Sequence, residues 1–139
     1  MNIEKKLDQE QAENLLCEFG SRNKKEQEWT KRVLLDLKRS GRHYFTLGSL
    51  SKKEFLNLFF KGNPDSKKLV DFEDKIRRDG YNQNCYLFLR DLNPGEKGSY
   101  YVENGKHRVT AFRNLIESDK IIYSIVRGIV VSRQPQSRF

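Results

Sequence analysis

The spacing of the apolar residues changes character near residue 85. Before it they recur every three or four positions; after it they gather into short aromatic and β-branched blocks. A helix and a strand bury their faces at different periods, so this switch restricts the chain to helices first and a sheet later. Leu7, Leu15, Leu16 and Phe19 fall at helical spacing, with Gly20 as a stop. A second helix fits Lys25 to Arg39, with Trp29, Val33, Leu34 and Leu37 on one face and Ser40-Gly41 at its end. His43 to Leu47 reads as a short strand. Ser51 to Glu54 is a capping-box pattern that opens a helix running to Phe59 or Phe60. Leu69, Phe72, Glu73 and Ile76 mark a helix that ends at Asp79-Gly80.

Downstream, Cys85 to Asp91 reads as a strand and "LNPGEKGS" as a Pro/Gly turn. Tyr100 to Asn104 is a neighbouring strand, and Val109 to Ile116 carry one helix face. A β-rich run from Ile121 to Val131 follows, with a closing strand at Ile121 to Val126 and a bend or bulge expected at Gly128. The second half therefore runs helix, strand, strand, helix, strand. A chain of 139 residues holds one core comfortably and two with difficulty. The reading is one α+β fold, a small mixed sheet with flanking helices preceded by an N-terminal helical segment. It divides into a helical segment at 1–45, a core at 46–132 and a flexible tail at 133–139.

Charge narrows the partners. Lys and Arg number 27 against 19 Asp and Glu, a net charge of +8. Such a field favours nucleotides, nucleic acid or an acidic protein. The charges are interspersed along the whole chain, which dilutes the nucleic-acid signal. Cys17 and Cys85 have neither CxxC nor zinc spacing and read as buried thiols in a reducing cytoplasm. The N-terminus has no apolar signal core and no run approaches membrane-spanning length, so a cytoplasmic protein is expected.

The stretch "VENGKHR", Val102 to Arg108, stands where a strand gives way to a helix. A helix start leaves unpaired N–H groups and a partial positive charge. Gly105 permits close backbone approach, Lys106 supplies a point charge and Arg108 a fork suited to phosphate oxygens. The set suits an anion. A polar turn is the open alternative, because Asn-Gly is also a frequent hairpin pair.

A second stretch, "IRRDGYNQNCYLFLRD", places a helix end, Gly80 and Gln83 just before a strand. In this order and spacing, Gly80 and Gln83 followed by "GKHRVTA" (Gly105, Lys106, His107, Arg108, Ala111) resemble the ParB/sulfiredoxin superfamily. Its ParB-like members carry Gly-x-x-Gln-Pro before a strand and a basic glycine turn before an Ala-containing helix. The resemblance spans about Leu69 to Val131. It implies that Gly80, Gln83, Gly105, Lys106, His107 and Arg108 bind a nucleotide such as CTP or ATP, with or without Mg²⁺, the basic turn gripping the phosphates. Two departures limit it. Asn84 stands where Pro is usual, and Lys106 occupies the place of the sulfiredoxin cysteine, which removes sulfinic-acid repair. No helix-turn-helix follows the closing strand, so a DNA-sequence reader is not expected there. The N-terminal helices read as a packing lid or as a DNA-contacting or dimerising element.

His107 lies beside two cations that disfavour its charged form. Its readings are a phosphate-orienting or acid–base group and a structural hydrogen-bond partner. Asp91, Glu96 and Glu103 could pair around Mg²⁺ but read first as solvated hairpin charge. No nucleophile–base pair stands out. Three functions follow: a ParB-like nucleotide-binding module associating with DNA without strong sequence specificity, a nucleotide hydrolase, kinase or metal-dependent nuclease on the same fold, or a small phage- or plasmid-type protein that binds a host protein.

Overall fold

The structure is a computed structural model that describes residues 1–20, 23–92 and 99–134, with backbone alone at 19 and 20. In chain order the elements are β1 (Asn2–Leu7), α1 (Gln9–Leu15), a π-helical turn (Leu16–Gly20), α2 (Lys24–Ser40), β2 (His43–Leu50) and α3 (Lys52–Leu56). Then come α4 (Ser66–Asp79), β3 (Leu87–Asp91), β4 (Tyr100–Asn104), α5 (Lys106–Glu117) and β5 (Val126–Arg133). One open five-stranded sheet has the order β1-β2-β5-β3-β4. The β3–β5 pair is parallel and the other pairs are antiparallel. The fold is thus α+β with a mixed sheet, and residues 66–133 follow the expected helix, strand, strand, helix, strand order.

Strand alternation sends side chains to two cores, one on each face of the sheet. Leu87 and Leu89 of β3, with Val126 and Val130 of β5, join Phe55, Ile76, Val109 and Phe112 under α3, α4 and α5. Phe88 of β3, with Ile129 and Val131 of β5, joins Leu16, Leu34, Leu37 and Phe45 under α1 and α2. β5 is buried along nearly its whole length because helices cover both of its faces. That is why Gly128 to Val131 at its centre run without a polar residue instead of alternating.

Several expectations are corrected. The chain opens on a strand, not a helix. Asn2–Leu7 pairs with β2 from Asn2↔Ser49 to Leu7↔Phe45, and Glu4 reaches across to Arg127 at 3.0 Å. Its side chains are nearly all exposed, so this edge strand rests on ladder hydrogen bonds and leaves little apolar pattern. The boundary drawn at residue 45 falls inside β2, which is a full member of the sheet. The capping box of α3 forms, with Ser51 and Glu54 bonding each other's backbones, but the helix stops at Leu56. Phe59 is instead drawn alongside β4: its N–H donates to the Tyr100 carbonyl at 3.3 Å, and its own carbonyl accepts from Val102 at 2.8 Å.

The closing strand is Val126–Arg133 and not Ile121 to Val126. β5 runs in step with β2 from Leu50↔Val126 to His43↔Arg133, so it begins where β2 ends. The Tyr123 hydroxyl bonds the Leu50 carbonyl at that end. Gly128 makes no bulge, since the β2–β5 register runs straight through it. A β-carbon there would come within 2.9 Å of the Leu89 side chain, so close packing of β5 on β3 calls for glycine. Cys17 and Cys85 are free thiols, partly rather than fully buried. Burial pushes the Cys17 thiol up. The expected turn at 92–99 lies, over 93–98, outside the described residues, and so does the tail from 135 on.

Candidate functional site

α5 begins directly after β4, and one residue makes that junction possible. Gly105, the N-cap, has φ 113°, and a β-carbon on it would overlap the Leu87 side chain. A left-handed residue pressed against a core leucine can only be glycine without strain. Gly105 therefore serves the strand-to-helix corner. The corner turns the first amides of α5 outward with no side chain capping them and no acid in the first turn. Such a start carries positive potential.

The residues of this start, Gly105 to Arg108, border a cleft of about 730 Å³ between the β4–α5 corner and α4. From α4, Lys68, Asp71, Phe72, Lys75 and Arg78 border it; from the corner, Glu103 to Arg108 do. Six Lys or Arg residues (Lys61, Lys68, Lys75, Arg78, Lys106, Arg108) stand against four carboxylates (Glu26, Asp71, Asp74, Glu103). Two of those acids are engaged elsewhere, with Arg77 holding Asp74 at 2.9 Å and Arg90 holding Glu103 at 2.7 Å, and one of the cations, Arg78, pairs with Asp79 at 3.3 Å. The cleft is left with a surplus of positive charge. The Glu103–Arg90 pair ties Glu103 into the β3–β4 hairpin.

His107 joins the two walls. Its Nε2 accepts from the backbone N–H of Asp65 at 3.0 Å, and its ring stacks on Phe72 with centroids 6.1 Å apart. Asp65 is the N-cap of α4, its carboxylate accepting from Lys67 and Lys68. An accepting Nε2 must be unprotonated, which puts the ring proton on Nδ1. Burial, then Lys106 and Lys68, hold the His107 pKa below its ordinary value. Asn114 adds a second tie from α5 to α4 through Glu73, at 2.9 Å.

Arg108 departs from the expectation of an outstretched fork. It is only 7% exposed, and its Nη2 points to the Tyr86 carbonyl at 3.5 Å. It forms the floor between the large cleft and a recess of about 30 Å³ lined in part by Gly80, Tyr81 and Cys85. Burial pushes the Tyr81 phenol, stacked on Phe112, up to about 12. Gly80, Gly105, Lys106, His107 and Arg108 thus gather around one floor. Gln83 does not join them: it is exposed in the turn before β3 and borders neither space.

Sequence reasoning missed Lys68, Lys75 and Arg78. Their positions, with Phe72, repeat at helical spacing along one side of α4, and that period was the available signal. Among the described residues, no group of three or more His, Cys, Asp or Glu is placed to hold a metal, and no helix is long and apolar enough to cross a membrane. No family model matches the chain, and neither a curated protein nor a solved structure matches it. The fold and cleft define it as a basic α+β protein with a cationic cleft at a strand-to-helix corner.

Proposed function

We propose that the chain is a nucleotide-phosphate-binding module that associates with DNA through charge and without strong sequence specificity, in the cytoplasm. One observation carries the reading: α4 and the start of α5 direct Lys68, Lys75, Arg78 and Lys106 into the same cleft that receives the uncapped amides of α5. Backbone N–H groups with converging cations are what phosphate oxygens require. The ParB/sulfiredoxin resemblance of Gly80 and Gly105 to Ala111 supports a nucleoside triphosphate, CTP or ATP, as the occupant. In that binding mode Lys106 and the α5 amides hold the phosphates, Lys68 and Lys75 close from the opposite wall, and Arg108 supports the floor. A Mg²⁺ ion would enter with the phosphates, since it keeps much of its shell as water and phosphate oxygen. The net charge of +8 supplies the attraction for DNA.

Calorimetric titration with ATP, CTP, GTP and UTP, each with and without Mg²⁺, tests the reading. Saturable binding without release of phosphate is the expected result. Turnover would favour a hydrolase on the same fold. No binding by any of the four would sink the nucleotide reading and favour a protein-binding role.

A further inference from the structure

Trp29 is the single tryptophan of the chain. Its helical spacing with Val33, Leu34 and Leu37 predicts burial, and Leu34 and Leu37 are indeed buried, yet Trp29 stands 40% exposed. A lone exposed aromatic is unremarkable in itself. What singles this one out is where it stands. With Lys25 and Glu26 it borders a recess of about 280 Å³ whose remaining walls are Glu103 and Asn104. Glu26, Glu103 and Asn104 also border the cationic cleft. The recess and the cleft therefore share walls at the β4–α5 corner, with the indole on one side and the cations and α5 amides on the other.

Of the other aromatic rings at the cleft, Phe60 packs partly buried against the core and two more have ring partners. Phe72 is covered by His107, and Tyr101 takes the edge of Phe59 at 5.6 Å. Among the described residues, Trp29 has no such ring partner. An aromatic plate next to a phosphate-binding surface is the pairing that proteins use to hold nucleotides, because every base offers a π-face.

We propose that Trp29 is the base-stacking platform of this cleft, so that a nucleotide seated with its phosphates at Lys106 and the α5 start lays its base on the indole. The proposal rests on the phosphate-binding reading above. It gives preference for a nucleotide over bare phosphates, with little choice among bases, since stacking is tolerant of base identity.

The test uses the full chain and two kinds of probe, the four nucleoside triphosphates and inorganic triphosphate. Tryptophan emission reports Trp29 alone. All four nucleotides should change that emission as they bind, and inorganic triphosphate should bind more weakly. Trp29→Ala should weaken nucleotide binding roughly tenfold, the size of a lost base–aromatic stack, and leave inorganic triphosphate binding unchanged. Trp29→Phe should recover most of the loss. If both probes bind normally but nucleotides leave the emission unmoved and Trp29→Ala has no effect, the stacking role is wrong and the phosphate seat stands. If neither probe binds, the phosphate seat itself is wrong and the stacking role falls with it. The emission comparison needs no variant, so a Trp29→Ala chain that fails to fold does not block the decision.

Discussion

His107 Nε2 accepts a hydrogen bond from the Asp65 N–H at 3.0 Å and so fastens the start of α5 to the start of α4, the two walls of the cleft. The bond exists only while the imidazole is neutral. Folding therefore lowers the His107 pKa below 6.5, through burial first and then through Lys106 and Lys68, with Asp65 and Glu26 opposing. A folded-state value below the unfolded one means that the unfolded chain binds the proton more readily. The contribution of His107 is complete above pH 6.5 and is lost as pH falls through the lowered value. Stability measured by urea unfolding should decline in that window. His107→Gln should reduce the decline, leaving the share of His43, whose pKa burial also lowers.

Arg108→Ala should destabilise the fold. The side chain is 7% exposed and donates to the Tyr86 carbonyl, so removal leaves a buried acceptor and a void. An unsatisfied buried polar group costs about 1–3 kcal/mol. A lower urea midpoint with an unchanged slope is the expected result. An unchanged midpoint would mean that Arg108 lies free in the cleft after all.

Gly105→Ala should be worse than a usual glycine substitution. A left-handed φ strains alanine by about 1 kcal/mol, and overlap with Leu87 adds about 1–3 kcal/mol of overpacking. A double-mutant cycle with Leu87→Val should show coupling between the two positions, because the smaller side chain relieves the overlap. Additive effects would place the cost in the backbone alone.

Lys75→Ala and Lys106→Ala should weaken DNA binding at low salt with little loss of stability, since both border the cleft at the surface. Wild-type affinity should fall steeply between about 50 and 200 mM salt. Each variant should reduce the slope of log affinity against log salt by about one if its lysine contacts a phosphate. Unchanged slopes would place the DNA contacts elsewhere on the surface.

Helices were legible in the sequence wherever one face was apolar. α2, α4 and α5 all carry that period, and the Ser51–Glu54 capping box marked the start of α3 within one residue. What escaped depended on partners distant in the chain. β1 is an exposed edge strand held by pairing with β2, from 47 positions away at Asn2↔Ser49 to 38 at Leu7↔Phe45. The end of α3 and the start of β5 were likewise set by β4 and β2, not by local residues. The site divided in the same way. Gly105 and His107 were visible as a motif at a helix start, but their packing against Leu87 and Asp65 was not. Gln83 matched a pattern and still fell outside the cleft, because the turn before β3 carries it into solvent.

The strand order has a consequence for synthesis. Among the described residues β5 comes last in sequence, and it lies between β2 and β3, bonded to both. While a ribosome is still making residues 126–133, the nascent chain can form only two separate ladders, β1–β2 and β3–β4. Each presents an open edge that β5 will later cover, and open edges recruit other strands. The sheet closes when β5 emerges and slots between the two ladders. Chaperone contact during translation should therefore concentrate on β2 and β3, the strands whose permanent neighbour arrives last.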